Sequence, residues 1–261
     1  MGGDEVFGGY GAYREALYGR MADRVPGPLW DRLVLPIFDA LPAGTLGKNF
    51  VKRARRPVEE TYLGAGFIYG GFSERDKREL YTDGLRERQR GLDTHRLCAG
   101  LMEPARGRSR LSKMICLDTR LWLADSHLVM TDKMSMAASV EMRTPLLDHR
   151  LVEAAWLFPD AYKATLTDSK RALRRAFADR IPAPIRKRSK RGFSVPVDLW
   201  FRDPGSRLSQ MLAEPSARFR ELFRPEPVER LLKLHRGGAG DYSAHLFILL
   251  TLDLWMRSFL G

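Results

Sequence analysis

Sustained alternation of apolar and polar residues, the pattern of a half-buried β-strand, is almost absent from this chain of 261 residues. Apolar residues instead recur at intervals of three and four, which predicts short amphipathic helices. The chain is therefore predicted to be mainly α. We expect helices over residues 11–24, 29–41 with a kink or break at Pro36, 111–143, 149–157, 169–180, 206–223, 227–236 and 243–260.

Residues 111–143 carry the strongest helical pattern, which ends before Pro145 because a residue preceding proline avoids the α conformation. A helix continued that far would gather four polar side chains within roughly 80° of its circumference: Asp132, Ser135, Ser139 and Arg143. Apolar sequence on both flanks favours burial of this polar stripe, which would then require paired groups. A solvated polar face is the alternative. The last helix is apolar nearly all round, and we expect it to be buried.

Basic residues are in excess, since Lys and Arg number 44 against 32 Asp and Glu, for a net charge of +12. Such a charge indicates an anionic partner, for example a nucleotide, a nucleic acid or an acidic surface. Five of the six residues 186–191 are cationic, and Gly192 and Pro196 follow, so we predict a basic loop. It could clamp a polyphosphate, or it could be a solvated run of charge. Aromatic residues are nearly lacking around it, which disfavours nucleic acid.

The cysteines and histidines indicate no metal centre. Cys98 and Cys116 have no metal or redox spacing, and we predict two reduced core thiols, as suits a cytoplasmic protein. None of the five histidines pairs at a metal-ligating interval, which predicts ordinary surface or helix-capping roles. The longest apolar stretch, residues 246–256, is shorter than the about 20 residues that a membrane span needs. We therefore expect no membrane segment, and the chain opens without a charged and apolar leader.

Residues 2–10 form a glycine-rich turn, Gly-Gly-Asp-Glu-Val-Phe-Gly-Gly-Tyr, ahead of a predicted helix. Small residues let backbone N–H groups approach phosphate oxygens, and Asp4 could hold a hydrated Mg²⁺ that bridges phosphates. Composition alone also allows an ordinary glycine-rich turn without a ligand.

Three segments together resemble the synthetase domain of glutamine-hydrolysing asparagine synthetases. Residues 2–10 resemble the end of that family's second nucleotide motif, and residues 188–196 resemble its Arg-x-Lys-x-Gly-Phe loop. Residues 132–149, Asp-Lys-Met-Ser-Met-Ala-Ala-Ser-Val-Glu-Met-Arg-Thr-Pro-Leu-Leu-Asp-His, resemble its most recognisable stretch. Residues 170–174 and 252–260 also fit. The resemblance implies the helical C-terminal portion of an adenine-nucleotide α-hydrolase-like α/β domain, whose parallel sheet lies largely upstream. We thus expect one partial synthetase domain over residues 1–261, with an internal loop at 100–110.

This resemblance implies ATP-dependent amidation of a carboxylate, aspartate to asparagine, through an acyl-adenylate and with ammonia from glutamine. ATP and Mg²⁺ are the implied cofactors. Carried onto this chain, Asp4 would bind the metal, Gly2 and Gly3 would line the nucleotide or substrate pocket, and Lys190 would stabilise charge on the phosphates. Four further residues would support the site: Asp132, Glu141, Arg143 and Asp148. The roles of Asp118 and Asp125 stay open.

The sequence also departs from the family. Its Ser-Gly-Gly-x-Asp-Ser pyrophosphate loop is absent, and residues 90–93 do not supply it. Met1 stands where the family has an acid, Met130 stands where a basic residue is common, and the glutaminase domain is missing. We therefore expect a truncated or split piece, inactive alone, whose upstream partner chain carries the glutaminase and the pyrophosphate loop. The alternatives are a non-catalytic helical module that binds an anionic partner through residues 171–191, or a related ligase that acts on another acid.

Overall fold

A computed structural model describes residues 1–41, 45, 47–63, 71–186, 188, 195–214 and 217–260. The chain divides into two compact units, one of residues 1–62 and 97–191 and the other of residues 63–96 and 192–261. Helices dominate both units, and within the described ranges the only β pairing is two isolated bridges, Tyr81 with Phe223 and Ala164 with Ser169. The prediction of a mainly α chain is confirmed.

The first unit is built from short helices that follow one another closely. Its α-helical elements are Gly3–Phe7, Gly11–Ala22, Gly27–Leu29, Leu35–Ala40, Lys48–Arg53, Val58–Tyr62, Arg110–Leu117, Val129–Met136, His149–Leu157, Asp160–Lys163, Arg171–Ala176 and Ala183–Arg186. Two π-helical stretches, Trp30–Val34 and Asp118–Leu128, and two 3₁₀ turns, Glu103–Ala105 and Pro145–Leu147, complete it. The Thr94–Leu101 helix contains the boundary between the units, and residues 100–110 include the first 3₁₀ turn.

The predicted helix over residues 111–143 is wrong at its C-terminal end. Helical backbone runs without interruption from Arg110 through Asp118 to Met136 and then stops. Ser139 adopts a left-handed backbone (φ 55°), its N–H bonds the carbonyl of Met136, and the N–H of Val140 bonds the carbonyl of Ser135. These two bonds form a Schellman motif, which closes a helix. The four polar side chains therefore do not share a helical face, and Asp132, Ser139 and Arg143 are exposed.

Two tyrosines and an apolar layer form the interior of the first unit. Tyr13, Tyr62, Leu111, Met114 and Leu117 are almost fully buried. The prediction for the two cysteines is confirmed, because both are free and buried, and burial raises the pKa of the Cys116 thiol. The core thus contains polar hydroxyl groups that require partners.

The second unit packs around the helix near the C-terminus. Its helices are Glu74–Leu80, Asp83–Arg88, Val197–Arg202, Arg207–Ala213, Pro225–Arg236 and Ser243–Phe259, with a 3₁₀ turn at Arg218–Glu221. Its core is formed mainly by Leu80, Phe201, Leu212, Phe219, Val228, Leu246 and Leu249. The single helix predicted over residues 206–223 is wrong, since the α-helix ends at Ala213 and only a 3₁₀ turn follows. Ser206 begins that helix by accepting a hydrogen bond from the N–H of Ser209.

The helix Ser243–Phe259 is buried on one face only. Leu246, Leu249, Leu250, Asp253 and Met256 are buried, as the core face of an amphipathic helix would be. The opposite face keeps large apolar side chains exposed: Phe247, Ile248, Leu254, Trp255 and Phe259. The predicted burial of this helix on all sides is therefore wrong. No helix among the described residues is both long enough and apolar enough to cross a bilayer.

Candidate functional site

The N-terminal motif is not an open turn but a short helix, Gly3–Phe7, packed under residues 146 and 147. Gly2 has a left-handed backbone (φ 85°) and is buried. A Cβ atom at Gly2 would lie 2.3 Å from Cδ2 of Leu147, and one at Gly3 would lie 3.2 Å from Cδ1 of Leu146. The two glycines therefore allow residues 2–10 to contact the C-terminal end of the segment 132–149. Any larger residue at Gly2 would both strain the backbone and displace Leu147.

Asp4 is paired with Lys170. Lys170 Nζ lies 2.9 Å from Asp4 Oδ1, and the two side chains are only 25% and 17% exposed. Lys170 has a left-handed backbone (φ 53°) and immediately precedes the helix Arg171–Ala176. A Cβ atom at Gly9 would lie 2.0 Å from Asp4 Oδ1 and 2.3 Å from Lys170 Cε, so the pair is seated against this glycine. Sequence reasoning identified Asp4 but missed its pairing with Lys170, which only the tertiary fold reveals.

Glu5 follows Asp4 and is buried with two partners. The hydroxyl of Tyr10 donates to Glu5 Oε1, and Nδ1 of His127 lies 3.2 Å from the same oxygen. Burial, together with the Glu5 carboxylate, raises the pKa of Tyr10 well above its usual range. The phenol therefore stays protonated and remains a donor. The ring of His127 also contacts Trp122, at 4.7 Å between centroids, which orients the imidazole.

Asp118, whose role the sequence left open, lies in the interior. Its carboxylate accepts hydrogen bonds from the Tyr62 hydroxyl, at 2.6 Å, and from the Tyr13 hydroxyl. Burial and the Asp118 charge raise the pKa of Tyr62 far above its usual value. These bonds tie the helices Gly11–Ala22 and Val58–Tyr62 to the start of the Asp118–Leu128 stretch. The structure thus gives Asp118 a role in the core, whereas Asp125 is exposed.

The four residues expected to support the site are Asp132, Glu141, Arg143 and Asp148. Glu141 pairs with Arg143 at 2.8 Å, and both side chains are largely exposed. Asp148 accepts a hydrogen bond from the N–H of Arg150 and so caps the helix His149–Leu157, and the hydrogen bonds from Arg150 lower the pKa of Asp148. Asp132 is exposed. Their supporting roles stay predictions.

Lys190 lies outside the described residues, as do residues 187, 189 and 191–194 in and beside the basic loop. Of the residues predicted for the site, the structure places Gly2 and Gly3 against Leu147 and Leu146, and Asp4 follows them in the helix Gly3–Phe7. It adds Lys170, Tyr10 and His127, which sequence reasoning did not assign.

The histidine prediction needs one correction. His235 is fully buried, with Nε2 2.9 Å from the carbonyl of Asp198 and Nδ1 accepting from the N–H of Tyr242. It is a core residue rather than a surface or capping one, because both ring nitrogens find backbone partners that replace water.

Asp4 was predicted to bind Mg²⁺, but the described residues do not by themselves fit a metal. No cluster of three or more His, Cys, Asp or Glu side chains that could hold an ion is found among them. Protein Mg²⁺ sites need carboxylates and usually the phosphates of a substrate as well. At Asp4 the one carboxylate is already neutralised by an ammonium group.

Comparison with known protein families identifies the family of this chain. The sequence profile of the family described as Asparagine synthase matches residues 1–257. The chain belongs to the asparagine synthase family. The match covers both units and all three segments on which the resemblance rests.

Individual asparagine synthases match along nearly the whole chain. It is 34% identical over 259 residues to a Mycobacterium bovis protein described as a putative glutamine-hydrolysing asparagine synthetase, covering 99% of this chain and 38% of that protein. It is 28% identical over 254 residues to the glutamine-hydrolysing asparagine synthetase 1 of Bacillus subtilis, covering 97% of this chain and 39% of that protein. The chain thus spans about two fifths of the length of these relatives. No solved structure matches.

Proposed function

We propose that this chain supplies part of the active site of an asparagine synthetase-like ligase, and that it does not catalyse amide synthesis alone. The observation that carries the proposal is the packing of Gly2 and Gly3 against Leu147 and Leu146, with Lys170 paired to the adjacent Asp4. Residues 2–4, 146–147 and 170 lie far apart in this sequence and thereby meet in one corner of the first unit. Two relatives that bear the name asparagine synthetase are more than twice as long, which is consistent with a site completed by other residues.

The proposed reaction has two chemical steps. An oxygen of the substrate carboxylate, that of aspartate, attacks the α-phosphorus of ATP, and pyrophosphate leaves. Ammonia, released from glutamine elsewhere, then attacks the acyl carbon of the adenylate, and AMP leaves. In both steps negative charge moves between oxygens, so fixed cations aimed at those oxygens would supply most of the stabilisation.

The residues of this chain would act on that charge. Lys190 and the basic loop around it would face the phosphates, and Gly2 and Gly3 would shape the pocket wall. ATP and Mg²⁺ are proposed as cofactors from family membership. A cytoplasmic location is proposed as well, since both cysteines are free thiols.

The test is pyrophosphate release from ATP with aspartate and ammonia. We expect no release above background from the purified chain, and release when the N-terminal three fifths of the Bacillus subtilis relative is added as a separate polypeptide. An Asp4→Asn chain should fail to restore activity in the mixture. Release by the chain alone would overturn the proposed dependence, and a mixture that stays inactive under all conditions would count against the proposed ligase function.

The two other interpretations stay predictions. A module that binds an anion through residues 171–191 would use their cations, of which Arg171 and Arg174 pair with Asp168 and Arg186 donates to the carbonyl of Ala178. A ligase that acts on another acid would share the same corner, and the pyrophosphate assay separates it by replacing aspartate with other carboxylates.

A further inference from the structure

A cavity of about 430 Å³ lies within the first unit. Residues of the helices Arg110–Leu117 and His149–Leu157 form much of its wall. Its apolar lining includes Val6, Pro104, Ile115, Val152, Trp156 and Leu157. Pockets that bind small molecules measure roughly 300–1,000 Å³ and are lined mainly by apolar and aromatic side chains. The cavity therefore has the size and the lining of a small-molecule site.

A free cation stands at the edge of this cavity. Arg120 lines it, is exposed to solvent, and forms no ion pair with any residue that the structure describes. Burial raises the pKa of the Cys116 thiol and the Arg120 charge opposes that rise, so this charge acts on the cavity wall. Glu153 is the one acidic residue among the described lining residues, and it is exposed too.

Lys163 adds positive charge from within the wall. Its side chain is fully buried, its ammonium lies 5.5 Å from the centroid of the Trp156 ring, and its hydrogen bond to the Trp156 carbonyl is long, at 3.4 Å. The Arg108 guanidinium lies over the same ring, at 5.2 Å. Burial lowers the pKa of Lys163, so a nearby anion would favour its charged form. Two cations therefore lie against the aromatic wall of the cavity.

These charges select among the molecules that could fill the cavity. A neutral apolar molecule would leave the Arg120 guanidinium without a partner, and a cation would be repelled by the positive charges nearby. A polyphosphate would need several fixed cations at one point, and Glu153 would repel its additional negative charge. A carboxylate carries a single charge and matches the planar fork of a guanidinium.

We propose that the cavity binds a molecule with an apolar chain and one carboxylate, as in a medium-chain fatty acid. The chain lies against Ile115, Val152 and Trp156, and the carboxylate pairs with Arg120. The inference does not depend on the proposed ligase function, because none of the residues assigned to that function lines the cavity.

The probe is decanoate, kept below its micelle concentration and titrated into the full chain labelled with ¹³C at the isoleucine Cδ1 methyl groups. Ile115 lines the cavity, whereas Ile248 lies on the exposed apolar face of Ser243–Phe259, the other surface to which a fatty acid could adhere. Ile115→Val removes the labelled methyl group and so assigns its resonance. We expect the Ile115 resonance to shift and to saturate, and the Ile248 resonance to stay in place. An unmoved Ile115 resonance would overturn the inference.

A pair of arginine variants tests the head group. Arg120→Gln should weaken decanoate binding about fivefold, as expected for the loss of one exposed ion pair. Arg14→Gln is the matched control, because Arg14 is also an exposed helical arginine of the first unit and does not line the cavity. It should leave binding unchanged. Equal affinities of the Arg120→Gln variant and the original chain, or equal losses in both variants, would refute the pairing.

The charge of the ligand provides a second test. Decanol keeps the chain without the charge and should bind about fivefold more weakly than decanoate, whereas decyltrimethylammonium should not shift the Ile115 resonance. Decanol that binds as tightly as decanoate would contradict the proposed specificity. The N-terminal three fifths of the Bacillus subtilis relative, added as a separate polypeptide, should leave decanoate binding intact. Loss of binding in that mixture would make the cavity a protein-docking surface and would overturn the inference.

Discussion

Replacing Tyr62 by phenylalanine tests the buried network around Asp118. The change removes only the hydroxyl that lies 2.6 Å from Asp118 Oδ1 and leaves the ring, which is fully buried, in place. A hydrogen bond to a charged partner contributes about 1.5–3 kcal/mol, and the lost donor leaves a buried carboxylate less well satisfied. We expect the free energy of unfolding to fall by about 2 kcal/mol at pH 7.5.

The difference in unfolding free energy between the original chain and Tyr62→Phe should become smaller at alkaline pH. The pKa of Tyr62 is raised in the folded chain, so above about pH 10 the unfolded chain ionises this tyrosine while the folded chain keeps its proton. Stability that depends on a raised pKa is complete below the unfolded pKa and is lost as the pH rises above it. The original chain should therefore lose about 1.4 kcal/mol at pH 11 through Tyr62 alone, whereas phenylalanine cannot titrate.

The assay is urea unfolding followed by tryptophan fluorescence at pH 7.5, 9 and 11. Tyr18→Phe is the matched control, because Tyr18 is 42% exposed and its ring meets Phe50 at an edge. It should change stability by less than about 0.5 kcal/mol at every pH. A deficit for Tyr62→Phe below about 0.5 kcal/mol at pH 7.5, or one that stays constant to pH 11, would refute the reasoning.

Four further substitutions have definite outcomes in the same unfolding assay. Ser139→Gly should stabilise the chain by about 0.5–1 kcal/mol because glycine suits its left-handed backbone, whereas Ala137→Gly, at an ordinary helical φ of −59°, should destabilise it by a similar amount. His235→Ala should cost about 3 kcal/mol, since it removes two hydrogen bonds and opens a cavity. Lys163→Met should stabilise the chain by about 1 kcal/mol at pH 7, because burial lowers the pKa of Lys163, and the gain should shrink as the pH approaches 10. An unchanged or lower stability for Ser139→Gly or Lys163→Met, or a loss under about 1 kcal/mol for His235→Ala, would contradict the corresponding argument.

Local signals explain what the sequence predicted well. The helices His149–Leu157 and Gly11–Ala22 start and stop close to their predicted limits. Asp148 caps the first of these helices through its own side chain, which is a signal carried by adjacent residues. Such boundaries depend on a few neighbouring side chains, so they can be read from the sequence alone.

The misplaced end at Met136 had no such signal. Ala137, Ala138 and Ser139 are compatible with helix, and the Schellman motif places serine where glycine is usual. The exposed face of Ser243–Phe259 could not be predicted either, because a helix that is apolar nearly all round carries no polar stripe to show which side faces outward.

The sequence predicted three N-terminal members of the candidate site by motif, Gly2, Gly3 and Asp4, and their roles stay predictions. The structure places the two glycines against Leu147 and Leu146. Lys170 and Asp4 stand near opposite ends of the first unit's sequence, and no periodicity links them. Their contact arises from tertiary packing, which short-range patterns do not encode.

The side chains beside Gly9 determine which residues position 9 can accept. Its backbone φ lies outside the left-handed region, so alanine could adopt the same conformation without strain. What excludes alanine is the volume already taken by Asp4 and Lys170. In a saturation library selected for function, position 9 should accept glycine alone, while the glycines at 11 and 27, which have open space around them, tolerate many residues. A mutational map would then show an invariant position that has no side chain of its own, and the cause of its invariance would be found in the two side chains beside it.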